Sequence, residues 1–199
     1  MKRILQQGIL SFALLVAITG TQAGTTPSQT YTLDPNHSYV SWKINHFGFS
    51  NPSGKWMVNG TLMFNEKDPS HSQITVNIPV GQIVTGLPEL DQHLKSALFF
   101  DVEKFPTATF VSREIRVTGK DTGDITGTLT VHGISKPIVI HARFNKMGVN
   151  PINQQNTVGF SGRATVNRKD FGITTLSPQL GDEVKLRMEI EANQPKSSS

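Results

Sequence analysis

Hydrophobic residues in this chain recur mostly at every second position, the period of a strand with one buried face. Val40, Trp42 and Ile44 alternate with Ser41, Lys43 and Asn45. Trp56, Val58, Leu62 and Phe64 continue the pattern, and Gly60 between them marks a bend in a curved sheet. Ile74, Val76, Ile78 and Val80 keep a strict period of two. The alternation returns from Thr107 to Val117, then at Ile125, Gly127, Leu129 and Val131, and at Ile138, Ile140, Ala142 and Phe144. It closes with Val158, Phe160, Gly162, Ala164 and Val166, and with Val184, Leu186, Met188 and Ile190. Tyr31 to Leu33 reads as a short leading strand. Asp34-Pro35-Asn36, Asp68-Pro69-Ser70 and Thr118 to Asp121 are turns, and His132 to Pro137 predicts a hairpin. Asn145 to Asn156 and Thr174 to Gly181 read as polar loops.

One stretch breaks the period. Leu90, Leu94 and Leu98 repeat at i, i+4 and i+8, which predicts a short helix with one apolar face. Pro88 suits its first turn, and Glu89 and Asp91 complement the positive end of its dipole. Phe99-Phe100 follows, and Pro106 forces an extended entry into the strand that holds Phe110. Asp91 and His93 stand two apart on this helix and point to different sides. They make a poor catalytic pair, and Asp91 is better suited to bond a nearby loop.

About eight long antiparallel strands, one short helix and no βαβ unit predict an all-β barrel or sandwich. Eight strands suffice to close a barrel around one small ligand. Gly60, Gly127, Gly162 and Ala164 interrupt inward faces and favour a cavity.

Composition narrows the setting. Lys2 and Arg3, the apolar run Ile9 to Ile18 and Thr21-Gln22-Ala23 form a secretory signal pattern, with cleavage expected after Ala23. The expected organisation is a signal peptide over 1–23, a β-barrel domain over 24–192 and a disordered tail over 193–199. The expected location is the periplasm. With no cysteine, neither a lipoprotein anchor nor a disulfide is available. Loss of Lys2 and Arg3 lowers the formal charge by two, from +4 to +2. The remaining basic residues are scattered, which argues against nucleic acid. The polar, Ser-rich end and the lack of aromatic girdles argue against an outer-membrane barrel. No nucleophile elbow, cysteine nucleophile, phosphate loop or metal-protease helix occurs, so no catalytic residues are assigned. His46, His93 and His132 lack metal-ligand spacing, so no metal site is assigned. Arg168 and Asp170 read as a structural ion pair.

Six segments in order resemble one family. They are Asp34-x-x-His37-Ser38; His46-x-Gly48; Asp91-x-His93-Leu94-x-Ser96 with Phe99-Phe100-Asp101-x-Glu103-x-Phe105-Pro106-x-Ala108-x-Phe110; Gly127-x-Leu129-x-Val131-His132-Gly133; and Asn167-Arg168-x-Asp170-Phe171-Gly172. Together they are similar to the YceI-like family of secreted bacterial polyisoprenoid-binding proteins, over roughly Tyr31 to Ala192. The resemblance implies an extended, eight-stranded, lipocalin-like antiparallel barrel with one helix beside it. It also implies an apolar tunnel for an isoprenoid chain, such as a polyprenyl phosphate or a quinone tail. The segments 85–90 and 51–56 depart from the family pattern and leave the head-group preference open.

Candidate ligand-binding residues are Trp42, Trp56, Phe99, Phe100, Phe110, Phe160 and Phe171, with ordinary core packing as the competing and, for any single one, favoured reading. Arg168 could meet a phosphate or quinone oxygen if it faced the mouth. Within that barrel, the stretch from Asp91 to Phe110 becomes the expected wall or gate of the tunnel. The reading is a non-enzymatic carrier or scavenger with no cofactor beyond its bound lipid. It has no stable membrane insertion, and it is compatible with a monomer or a homodimer. A quinone-presenting redox or stress accessory protein and a packed structural β-domain are the alternatives.

Overall fold

The computed structural model describes residues 27–195. The signal-peptide segment and the last residues of the expected tail lie outside these. The elements are β1 (Gln29–Leu33), β2 (Tyr39–His46), β3 (Ser53–Met57), β4 (Asn59–Phe64), β5 (Gln73–Pro79), α1 (Pro88–Lys95), β6 (Thr107–Gly119), β7 (Thr122–Val131), β8 (Ile134–Val149), β9 (Asn156–Asn167) and β10 (Leu180–Asn193).

Every strand pairing is antiparallel, and the sheet closes on itself. Its order runs β1-β4-β5-β6-β7-β8-β9-β10, and β10 pairs back with β1 at Thr32–Asn193 and Leu33–Ala192. That ring has eight members, as the alternation predicts. The remaining two, β2 and β3, extend it: β2 pairs with β10 from Leu180 to Glu189, where β1 has left off. β1 and β2 therefore act as one interrupted strand, and β3 and β4 as another.

The interruption at 34–38 has a local cause. Pro35 has no N–H to offer a ladder. Asp34 turns the chain: its Oδ1 accepts the Asn36 N–H at 2.9 Å, and its carbonyl accepts the N–H groups of His37 and Ser38. Ser38, fully buried, replaces the missing ladder bonds. Its Oγ donates to the Glu191 carbonyl at 2.9 Å and accepts the Glu191 N–H at 3.1 Å.

The sequence predicts one continuous strand over 56–64, but the chain breaks at Val58, whose N–H turns aside to the Ser38 carbonyl. Gly60 is required where β4 crosses β5: a Cβ there would lie 2.0 Å from the Thr75 carbonyl oxygen. The polar loop expected over 145–156 shrinks to 150–155. A bulge at Asn145 shifts the register between Phe144 and Lys146, and pairing then resumes from Lys146–Gly159 to Val149–Asn156. The bulge moves the alternation out of phase, so periodicity alone reads those residues as irregular.

The two ends of the barrel differ. At one end lie the finish of β5, α1, the start of β6, the β7–β8 turn and the finish of β9. Here α1 presents buried Leu94, and the chain beyond it folds Phe99 and Phe100 inward. The Phe100 ring meets Trp56 edge-on at 5.4 Å, and the Trp56 indole donates to the Val80 carbonyl at 3.0 Å. The helix is shorter than its leucine repeat predicts. Ser96 caps it, its Oγ donating to the His93 carbonyl at 2.7 Å, and Leu98 falls outside it on the surface. At the same end the wall parts: β8 and β9 pair only from His141–Arg163 upward. The turn Arg168–Phe171 sits against both strands and β10 there, beside a cleft of about 310 Å³.

Candidate functional site

The other part of the barrel is hollow. A cavity of about 350 Å³ runs inward from the end that carries the β4–β5 and β6–β7 connections. Its inner wall is Val40, Ile78, Phe110 and Leu129; Ile74, Val76, Ile138, Ile140, Leu186, Met188 and Ile190 line its flanks. Nearer the mouth stand Phe64, Phe144 and Phe160, and at the mouth Glu66, Ser72, Lys120, Asp121 and Thr122. Phe160 meets Phe64 at 5.5 Å and Phe144 at 5.7 Å, both edge-on, which builds one aromatic wall from three strands.

Strand register explains why the space is there. Gly123 pairs with Ala142, and Ala142 with Gly162, so three small residues lie in one row across β7, β8 and β9. All three line the cavity. Side chains of ordinary size in that row would fill it. Gly127 behaves differently. A Cβ there would lie 2.4 Å from Phe110 Cζ, so that glycine accommodates the Phe110 ring at the cavity floor.

Of the residues singled out from the sequence, Phe110 and Phe160 line the cavity. Trp42, Trp56, Phe99, Phe100 and Phe171 are in the hydrophobic core outside its wall. Trp42 and Trp56 lie 6.5 Å apart and form a tilted pair with Phe100 beyond. From the stretch Asp91 to Phe110, Phe110 alone reaches the cavity. Phe64 and Phe144, which also line the cavity, are not among those candidates, although both stand at inward positions of alternating strands. That alternation was the available signal.

Arg168 is 5% exposed and lies outside the cavity wall. Its Nε donates to the Gly181 carbonyl at 2.9 Å. Nη1 donates to Ile173 at 3.1 Å and Thr175 at 2.7 Å. Nη2 donates to Leu180 at 3.1 Å and faces Asp182 Oδ1 at 3.2 Å. Four of its N–H groups therefore donate to carbonyls, and the Asp182 carboxylate balances its charge, so the guanidinium is engaged away from any head group in the cavity. Its ion-pair partner is Asp182, not the Asp170 expected from proximity in sequence. Burial lowers the Arg168 pKa, and Asp182 opposes that effect. Asp91 bonds a loop as expected: its Oδ1 accepts the Thr85 N–H at 2.8 Å and hydroxyl at 2.6 Å.

Among the described residues, Asp34, His37 and Glu191 offer three ligand atoms within 4.8 Å of one another on the outer face. The Asp34 oxygens already accept the Asn36 N–H and the His37 Nδ1–H, so the turn they cap accounts for their arrangement. Burial pushes the Asp34 carboxyl up, but hydrogen bonds from His37 and Asn36 outweigh it and hold the pKa below the usual value. A hydrogen bond from His141, aided by Arg116, lowers Asp124; a hydrogen bond from Lys169 leads the lowering of Asp182. The Asp34 hydrogen bond raises His37.

These directions fix the sign of the pH response. A carboxylate depressed in the folded state contributes stability that is complete above its unfolded pKa and is lost as pH falls through the folded one. The unfolded value for aspartate is 3.8, so thermal midpoints are expected to fall as pH drops from about 4 toward 2. His37 acts oppositely, adding stability below 6.5 that fades as pH rises through its raised value. Thermal melts across this range test the point. Asp124→Asn is expected to flatten the acid limb, and an unchanged limb would contradict the assignment.

The family described as YceI-like domain matches residues 31–192. A UPF0312 protein of Pseudomonas savastanoi pv. phaseolicola is 38% identical over 178 residues, covering 88% of this chain and 91% of that protein. The crystal structure of Burkholderia cenocepacia BcnA superposes with a TM-score of 0.72 at 21% identity, covering 80% of this chain and 98% of that one. A polyisoprenoid binding domain from Saccharophagus degradans, implicated in plant cell wall breakdown, superposes at 0.65 with 13% identity, covering 83% and 98% respectively.

Proposed function

Because the chain belongs to the YceI-like domain family, we propose that it takes the apolar tail of an isoprenoid or similar long-chain lipid into its barrel and carries or sequesters that lipid in the periplasm. The observation that carries this reading is the cavity: its inner wall and flanks are entirely aliphatic and aromatic, and its polar groups gather at the mouth. Such a space binds through exclusion of water, at roughly 0.8 kcal/mol for each buried CH₂ before ordering costs. The polyisoprenoid-binding neighbour is consistent with the same use of the fold.

Volume sets how much tail is enclosed. An apolar cavity of about 150 Å³ holds one benzene, so this one holds about two to three five-carbon units. A longer chain extends from the mouth or displaces side chains. The ligand contacts in this reading are Phe110 and Phe160, joined by Phe64, Phe144 and the aliphatic wall. Trp42, Trp56, Phe99, Phe100 and Phe171 brace the opposite end. The role is binding without catalysis. Among the described residues no helix is long and apolar enough to cross a membrane.

Organic extraction of natively purified protein, followed by mass spectrometry, tests the proposal. A stoichiometric isoprenoid or long-chain lipid is the expected result. An extract free of lipid, together with no uptake of added prenyl lipids, would overturn it. The hollow interior disfavours the alternative of a solidly packed structural domain.

A further inference from the structure

We propose that the cavity mouth selects an uncharged head group, that of an isoprenoid alcohol or quinone, over a prenyl phosphate. This inference rests on the lipid-binding reading above and sharpens it. The first step is orientation. The inner end consists of Val40, Ile78, Phe110 and Leu129 and offers no hydrogen-bonding side chain. A polar head placed there would lose its water without compensation, at a cost of roughly 2–7 kcal/mol. The tail therefore enters first, and the head stays at the mouth.

The second step is the chemistry of that mouth. Its polar side chains are Glu66, Ser72, Lys120, Asp121 and Thr122. Two of these already accept hydrogen bonds within the protein. The Ser72 Oγ accepts the Asn65 N–H at 2.9 Å, and the Thr122 Oγ1 accepts the Thr118 hydroxyl at 3.1 Å. The ionised groups that remain are two carboxylates, Glu66 and Asp121, against one ammonium, Lys120. A phosphate head would bring its negative charge into a rim already net negative. The usual means of holding it, a guanidinium fork, is absent from this wall among the described residues. Arg168 lies outside the cavity wall, where its guanidinium donates to four carbonyls and pairs with Asp182. An alcohol or a quinone suits the same rim. The carboxylates can accept from a hydroxyl, and Lys120 can donate to a carbonyl.

Competition measures this directly. The protein is loaded with the uncharged dye Nile red and titrated with farnesol or farnesyl phosphate, which share one tail, each below its critical micelle concentration. Farnesol is expected to displace the dye at about tenfold lower concentration at low ionic strength, and the gap is expected to narrow as salt screens the rim. Replacing the rim acids, Glu66→Lys with Asp121→Lys, is expected to close or invert the gap by strengthening displacement by farnesyl phosphate. Equal or stronger displacement by farnesyl phosphate in the unaltered protein would overturn the head-group inference and leave the lipid-binding reading intact. Failure of both ligands to displace the dye or to bind by native mass spectrometry would overturn that reading itself. A gap unmoved by salt and by the double substitution would also count against the rim acids as its source.

Discussion

Replacing Arg168 with alanine is expected to destabilise the barrel by about 3–5 kcal/mol, a larger loss than from any other single polar substitution among the described residues. The guanidinium ties the chain at Ile173, Thr175, Leu180 and Gly181 to the turn Arg168–Phe171. That turn lies where β8 and β9 have separated. Alanine would leave four carbonyls without their donor and would strip Asp182 of one partner, leaving it Lys169 and Ser177. Lysine would rescue little, because three donors on one nitrogen cannot reach the positions a planar fork spans. Urea unfolding of Arg168→Ala and Arg168→Lys checks this. A loss below about 1 kcal/mol for alanine would mean that the segment 173–182 is held by other contacts.

The second large effect is expected from Ala142→Trp. Ala142 lies in the middle of the small-residue row, flanked by Gly123 and Gly162. An indole there would occupy vacant space instead of displacing packed neighbours. Lipid retention is therefore expected to fall by at least about tenfold, equivalent to about 1.4 kcal/mol, while the thermal midpoint holds or rises. Overpacking of a filled core, by contrast, costs about 1–3 kcal/mol in stability. Phe99→Leu, at the opposite end of the barrel, serves as the control and should keep the ligand. If Ala142→Trp stays folded and binds a prenyl lipid as well as the unaltered chain, the cavity is not the binding site.

The four small inward residues show how far periodicity carries. They were legible in the sequence as interruptions, but their roles diverge in the fold. Gly60 admits the β5 backbone, and Gly127 admits the Phe110 ring. Gly162 helps leave the cavity empty, and Ala164 packs in the core. A missing side chain looks the same in each case until the cross-strand partner is known.

The stretch from Asp91 to Phe110 shows the same limit. Its helix, its aromatic pair and the loop bond of Asp91 follow from local chemistry. Which end of the barrel it covers does not. Phe99 and Phe100 fold away from the cavity, because β5 and β6 meet at the end opposite the β4–β5 and β6–β7 connections.

The sequence by itself determined the all-β antiparallel class, a barrel-sized number of strands and the inward face wherever a strand runs without a break or bulge, because a period of two is a property of the backbone. It also carried the family, through short motifs that hold turns in place. Tertiary structure decided three further matters: that Thr32 and Leu33 close the ring on β10, that Gly123, Ala142 and Gly162 share one row, and that Arg168 is spent on carbonyls from 173 to 181. Each depends on register between strands distant in sequence. A shift of two residues in that register would preserve every inward face and every local motif, and it would still move or fill the cavity.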